Sequence, residues 1–129
     1  MRDAASELGG IEFRVEEEHP SPGTALFCVR GEADLHVAPD VRDRIAAAIS
    51  DGATEVVVDL SDATFVDSMT LGVLLAAMKR LRARGGQLRL VVPRAEVRRI
   101  FEITLLDRVF PLYGTRQEAL VAAVASDAP

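Results

Sequence analysis

Few side chains in this sequence are of the types that perform chemistry. There is one cysteine, Cys28, two histidines, His19 and His36, and a single lysine, Lys79. Several enzyme classes can be weighed against that inventory. A P-loop needs a glycine-rich loop ending in Lys-Ser or Lys-Thr, and Lys79 lies in the middle of an apolar-periodic stretch. No Gly-x-Gly-x-x-Gly opens a helix. A nucleophile elbow needs Gly-x-Ser-x-Gly, yet Ser68 has Val66 and Thr70 in the glycine positions. One cysteine and two histidines are a poor donor set for zinc. Asp59, Asp62 and Asp67 can be drawn as a magnesium cluster like that of a phospho-aspartate receiver, but that fold wants an acidic pair after its first strand and a late lysine, and neither is present. The chain reads as a non-enzyme. The remaining candidate is the pair Asp67-Ser68, a carboxylate beside a hydroxyl.

The elements around that pair say what it can do. Val56-Val57-Val58 is an apolar run ending in Asp59-Leu60, followed by the polar turn 61–64. Phe65 and Val66 return to apolar. From Leu71, the residues Leu74, Leu75, Met78 and Leu81 fall at helical spacing. Gly85-Gly86 closes the helix after Arg80, Arg82 and Arg84. The spacing predicts strand, short loop and helix across 56–86, with Ser68 where loop becomes helix. The first turn of a helix carries unpaired N–H groups and the positive end of the macrodipole. Asp67 and Ser68 compete to cap it. If Asp67 caps, the Ser68 hydroxyl faces solvent, where a phosphoryl group would be tolerated. On pattern alone, a plain cap and a phosphoacceptor both stand.

The stretch FVDSMTLGVLL resembles the centre of the STAS domain, the fold of bacterial anti-sigma factor antagonists, in which Asp-Ser-Ser/Thr-Gly-Leu-Gly precedes an apolar helix. The resemblance implies that Ser68 is phosphorylated by a partner anti-sigma factor that is also a serine kinase. Leu71, Gly72, Val73, Leu74 and Leu75 match the pattern; Met69 stands where a second Ser or Thr is usual, and Thr70 where Gly is usual. Thr70 is the fallback acceptor. The stretch GEADLHVAPDVRDRI is similar to a second family segment, and by that likeness Asp34 lies near the phosphoacceptor loop. From its residues alone Asp34 is a turn residue and His36 a loop histidine.

Bulk properties frame the rest. At 129 residues, 49% hydrophobic, the chain has the size and composition of one folded domain. A net charge of −5 argues against a nucleic-acid or anionic-membrane binder. No apolar run approaches the roughly 20 residues of a spanning helix, no signal-peptide pattern opens the chain, and a lone cysteine suits a cytoplasmic protein. Residues 1–10 are expected to be a flexible tail, 11–125 the domain and 126–129 a second tail. Ile11, Phe13 and Val15 alternate as a strand, 19–23 is a turn, and 24–29 is a second strand. Pro39 opens a helix with the stripe Val41, Ile45, Ala48 and Ile49. A strand follows at Leu88–Val92, then a helix bearing Ala95, Val97, Ile100, Phe101 and Ile103, a turn at 105–108, an edge strand at 109–113 containing Pro111, and a last helix opened by the capping box Thr115-x-x-Glu118. In the last helix Ala119, Leu120, Ala123 and Val124 form the apolar face. Arg94, Arg98 and Arg99 read as a solvated face.

The order β-β-α-β-α-β-α-β-α demands a mixed, mostly parallel sheet in an α/β fold, with right-handed crossovers. The STAS resemblance, which covers nearly the whole chain, adds helices mainly on one face. It implies an anti-sigma factor antagonist: unphosphorylated, the chain docks on the kinase through Asp34, Asp67, Met69, Thr70, Gly72, Val73 and Ala76 and releases a sigma factor. The kinase brings ATP and magnesium, a serine phosphatase resets the domain, and the chain needs no cofactor. The alternative is a STAS adaptor that is never phosphorylated.

Overall fold

The computed structural model describes residues 14–127. Ile11, Phe13, the expected N-terminal tail and the last two residues lie outside them. Six strands and four helices follow in the order β1 (Arg14–Ser21), β2 (Thr24–Ala33), α1 (Ala38–Ser50), β3 (Glu55–Asp59), β4 (Ala63–Val66), α2 (Ser68–Ala83), β5 (Gln87–Val91), α3 (Ala95–Ile103), β6 (Leu112–Tyr113) and α4 (Arg116–Asp127). A short 3-10 turn, Leu106–Arg108, separates α3 from β6.

The sheet order is β1-β2-β3-β5-β6, antiparallel only between β1 and β2. The hairpin turn is tighter than the sequence suggested, because Ser21 pairs with Thr24 across Pro22-Gly23, after a register shift between Glu18 and Ser21. One strand is new. Residues 63–66, expected within a loop, form β4, which pairs in parallel with the far end of β2. Strand β2 therefore serves two partners in turn: its residues 24–28 pair with β3 and its residues 31–33 with β4. The change of partner falls at Gly31, where the register shifts and φ is +80°, a conformation open to glycine without strain.

Strand alternation sorts side chains onto the two faces. Ala25, Phe27 and Val29 of β2, Val56 and Val58 of β3, and Leu88 and Leu90 of β5 join the main core with residues of α1, α2 and α3. The stripe of α1 is buried as its spacing predicts, and so are Leu71, Leu74, Met78 and Leu81 of α2, with Leu75 half-buried beside them. Truncating Leu74, which is wholly buried, would cost about 2–5 kcal/mol. The Phe101 ring meets the Phe110 ring edge-on at 6.0 Å between centroids. In α3 only Val97 and Phe101 are fully buried; Ala95 and Ile103 point to solvent, outside the arc that meets the core.

The opposite face carries a second, smaller core. Leu26, Cys28, Val57 and Val91 are covered there by Ala119 and Ala123 of α4. Close packing through these two alanines leaves Val124 exposed, contrary to its expected place in the apolar face. The capping box forms: Thr115 N donates to Glu118 Oε1 at 3.1 Å and Glu118 N to Thr115 Oγ1 at 3.1 Å. The helix runs on through Asp127, past the expected start of the tail. The expected edge strand contracts to Leu112–Tyr113, after Pro111.

Candidate functional site

Three segments converge at the end of β2: β2 itself, β4 and the first turn of α2. Ala33 pairs with Val66, and the next N–H, that of Asp67, donates to Ala33 O at 3.0 Å. The chain then turns into α2. Asp67 is the N-cap, with extended backbone (φ −95°, ψ 176°), and its Oδ1 accepts from Thr70 N at 2.9 Å. The competition for the cap is thus resolved: Asp67 accepts from the third helical N–H, that of Thr70. Ser68 becomes the first helical residue, and its side chain is exposed. Among the described residues its hydroxyl has no hydrogen-bond partner. The far end of α2 is closed by a Schellman motif, in which Gly86 N donates to Leu81 O at 2.8 Å and Gly85 N to Arg82 O at 3.0 Å, with Gly85 left-handed at φ +78°.

Thr70 corrects the sequence reading. It is 1% exposed, and Oγ1 donates to Ala33 O at 2.8 Å. A hydroxyl sealed between α2 and β2 is neither a fallback acceptor nor a contact residue. Its role is to tie the helix start to the sheet. Asp34 follows directly on β2 and is half-buried. Its Oδ1 accepts from His36 N at 2.9 Å, and its carbonyl from Val37 N and Ala38 N, so its carboxylate organises the turn into α1. Asp67, as cap, likewise offers a partner only its second oxygen.

Met69 and Gly72 are exposed on the outer side of α2, with Ala76 one turn beyond and Val73 half-buried beside them. The sequence reading missed two further residues. Leu35 is 57% exposed and Phe65 46%, close to the 58% of Met69. Phe65 points outward from β4, opposite Glu32 of β2, and Leu35 leads from β2 into α1. No local signal places residues 63–66 in a strand; once their pairing with β2 does so, the outward position of Phe65 follows. Three large apolar side chains, Leu35, Phe65 and Met69, are thus exposed on the three segments that meet at this helix start, an arrangement suited to a dry protein contact.

The other titratable groups lie elsewhere. Asp59 is buried on the α4 face, where its Oδ2 accepts from Arg116 Nε at 2.9 Å and its Oδ1 from Ser61 N at 2.9 Å. Asp62 is exposed and faces Arg30, with 3.6 Å between charged atoms. The three aspartates drawn above as a magnesium cluster thus have separate duties, and the described residues contain no grouping of three ligands able to hold a metal. Arg116 also donates to Cys28 Sγ. Burial raises the Cys28 thiol above its ordinary range, partly opposed by Arg116; the hydrogen bond to Asp59 raises Arg116 itself. A buried pair, Glu55 with Arg89, lies on the same face, and Arg89 reaches Tyr113 Oη at 2.9 Å.

The pattern of the STAS domain matches residues 17–119, most of the chain. The chain belongs to the STAS domain family. Several of the curated proteins it resembles bear the name anti-sigma factor antagonist. It is 33% identical to the anti-sigma-F factor antagonist RsfB of Mycobacterium tuberculosis over 76% of its own length and 80% of that protein. It is 29% identical to the anti-sigma F factor antagonist of Paenibacillus polymyxa, over 85% and 94% of the two chains. A Thermotoga neapolitana relative is 38% identical over 72 residues, which are 56% of this chain and 64% of that protein. Among solved structures, an anti-sigma factor antagonist from Mycobacterium paratuberculosis superposes with a TM-score of 0.78 at 32% identity, over 86% of this chain and 93% of that one. The unphosphorylated form of the antagonist SpoIIAA superposes at 0.73 and 29% identity, over 83% and 93%; its phosphorylated form from Bacillus does so at 0.69 and 27%, over 84% and 98%. The mixed sheet expected from the strand and helix order is that of this family. No helix among the described residues is long and apolar enough to cross a membrane.

Proposed function

We propose that this STAS domain is an anti-sigma factor antagonist gated at Ser68. Unphosphorylated, it docks the first turns of α2 on an anti-sigma factor serine kinase in the cytoplasm and frees a sigma factor. The observation that carries the reading is the division of labour at the helix start: Asp67 takes the cap, leaving the Ser68 hydroxyl exposed and unengaged among the described residues. The two forms of SpoIIAA support a phosphorylated state in a chain of this fold.

The switch follows from electrostatics. Ser68 Oγ attacks the γ-phosphorus of the magnesium-bound ATP held by the kinase. The bond to ADP breaks, ADP leaves, and the hydroxyl proton passes to a base on the kinase. The product carries about −1.5 to −2 charges beside Asp67. The unpaired N–H groups and dipole of α2 tolerate that anion within the domain. A partner pressed against Met69, Phe65 and Leu35 would instead have to bury it, at a cost of several kcal/mol. About 3 kcal/mol weakens binding more than a hundredfold. A serine phosphatase restores the hydroxyl by delivering water to the phosphorus and releasing inorganic phosphate. The chain itself supplies no cofactor, and neither nucleic acid nor membrane insertion enters the cycle.

The test is to incubate the chain with anti-sigma factor kinases of its own genome and ATP, then map phosphate by mass spectrometry. Label on Ser68, absent from Ser68→Ala, is expected; a label that persists in Ser68→Ala contradicts the assignment. Met69, standing where a second hydroxyl residue is usual, favours one other reading, a STAS adaptor that is never phosphorylated. That adaptor would bind its partner equally well as Ser68→Asp.

A further inference from the structure

Helices α1 and α2 lie side by side on the sheet, and a groove of about 60 Å3 opens between them on the outer surface. Ile45 and Ala77, both buried, form its bottom, Val73 and Ala76 one wall, and Arg42 and Arg80 its exposed rim. Val73 and Ala76 continue the surface that begins at Met69 and Gly72, so groove and phosphoacceptor share one face of α2.

Gly72 points the same way. It is exposed in the second turn of α2, and a Cβ built on it would meet nothing within 4 Å. Glycine is an unfavourable choice inside a helix, because it costs backbone entropy without adding contacts. Neither a close neighbour nor a left-handed backbone requires it here, and the missing side chain leaves open space on this face of α2.

The charge at the groove runs against that of the molecule. The sequence holds 20 acidic and 15 basic side chains, yet the groove is rimmed by two arginines. Arg42 Nε pairs with Asp43 at 3.0 Å, both side chains well exposed, while Arg80 has no ion pair or hydrogen bond among the described residues.

We infer that this groove receives an α-helix of the anti-sigma factor, one carrying an apolar residue for the groove bottom and an aspartate or glutamate for Arg80 and Arg42. The inference rests on the proposed docking of α2. A furrow between two packed helices accepts the ridge of a third, and the absent Cβ of Gly72 lets its backbone come close. The rim arginines fix its register through a carboxylate.

The experiment uses the anti-sigma factor found to hold the unphosphorylated chain and measures its affinity for wild type, Gly72→Leu, Arg42→Glu, Arg80→Glu and Ser68→Asp. Thermal unfolding of each variant checks that the domain is intact. Gly72→Leu and Arg80→Glu are each expected to weaken binding at least tenfold while the domain unfolds no earlier than the wild type. Reversing one acidic residue of the partner's helix to arginine should restore Arg80→Glu. If Gly72→Leu and both arginine variants bind within twofold of wild type while Ser68→Asp is lost, the groove inference falls and the proposed function stands. If only Gly72→Leu weakens binding, the acidic helix is overturned. If Ser68→Asp also binds like wild type, the proposed function falls with the inference.

Discussion

Thr70 Oγ1 and Asp67 N both donate to the carbonyl of Ala33, at 2.8 and 3.0 Å. One acceptor at the end of β2 therefore holds the cap residue and the first turn of α2 together, and with them the orientation of Ser68. Replacing Thr70 by valine keeps the shape and removes the hydroxyl. Stability to urea should fall by about 1 kcal/mol, the usual net worth of a buried hydrogen bond. The position of Ser68 should also loosen, visible as faster amide exchange across 67–70. An unchanged urea midpoint would mean that the bond does not constrain the helix start.

Asp67 carries the second constraint. Asp67→Ala removes the bond to Thr70 N and should cost about 1 kcal/mol, whereas Asp67→Asn, an equally good cap, should cost only a few tenths. Chemical denaturation of the two variants side by side separates capping from charge. Equal losses would show that the carboxylate acts through its charge on the helix dipole.

Gly72→Ala tests whether the glycine serves the domain itself. With open space around the new methyl, the variant should be about 0.5–1 kcal/mol more stable than the wild type. A higher Tm of the isolated domain is the readout, and a lower one would reveal a need for glycine within the fold.

The Cys28 thiol is buried, and burial raises its pKa above the ordinary thiol range. The folded state therefore holds this proton more tightly than the unfolded one. Its contribution to stability is complete below the unfolded pKa and is lost as pH rises through the folded one. Stability should be insensitive to this group at neutral pH and decline in the alkaline range, and Cys28→Ser should remove that part of the decline. A disulfide reagent at pH 8 should label the native chain slowly and the urea-unfolded chain fast. Rapid native labelling would contradict the burial.

Much of this was legible beforehand. Spacing alone placed α1, α2 and the capping box at Thr115, because each is a local pattern of period 3.6 or a fixed four-residue offset. Strand β4 was not, since four residues with both middle side chains exposed lack a strand signal and owe their pairing to β2, more than thirty residues earlier. The same non-local cause hid the role of Thr70. Its acceptor lies 37 residues away, so a hydroxyl that looks available in the sequence is committed in the fold. The exposure of Leu35 and Phe65 was not legible either, because exposure is a property of the assembled surface. Asp67 and Ser68 were legible as a pair, and only the folded helix start assigned the cap to one and exposure to the other.

The most direct test of the gating at Ser68 compares one chain in two states. The stoichiometrically phosphorylated protein and its unmodified parent are titrated into the same anti-sigma factor under the same salt. A fall in affinity of at least a hundredfold on phosphorylation, reversed by a serine phosphatase, is the predicted result. Equal affinities for the two forms would contradict the account.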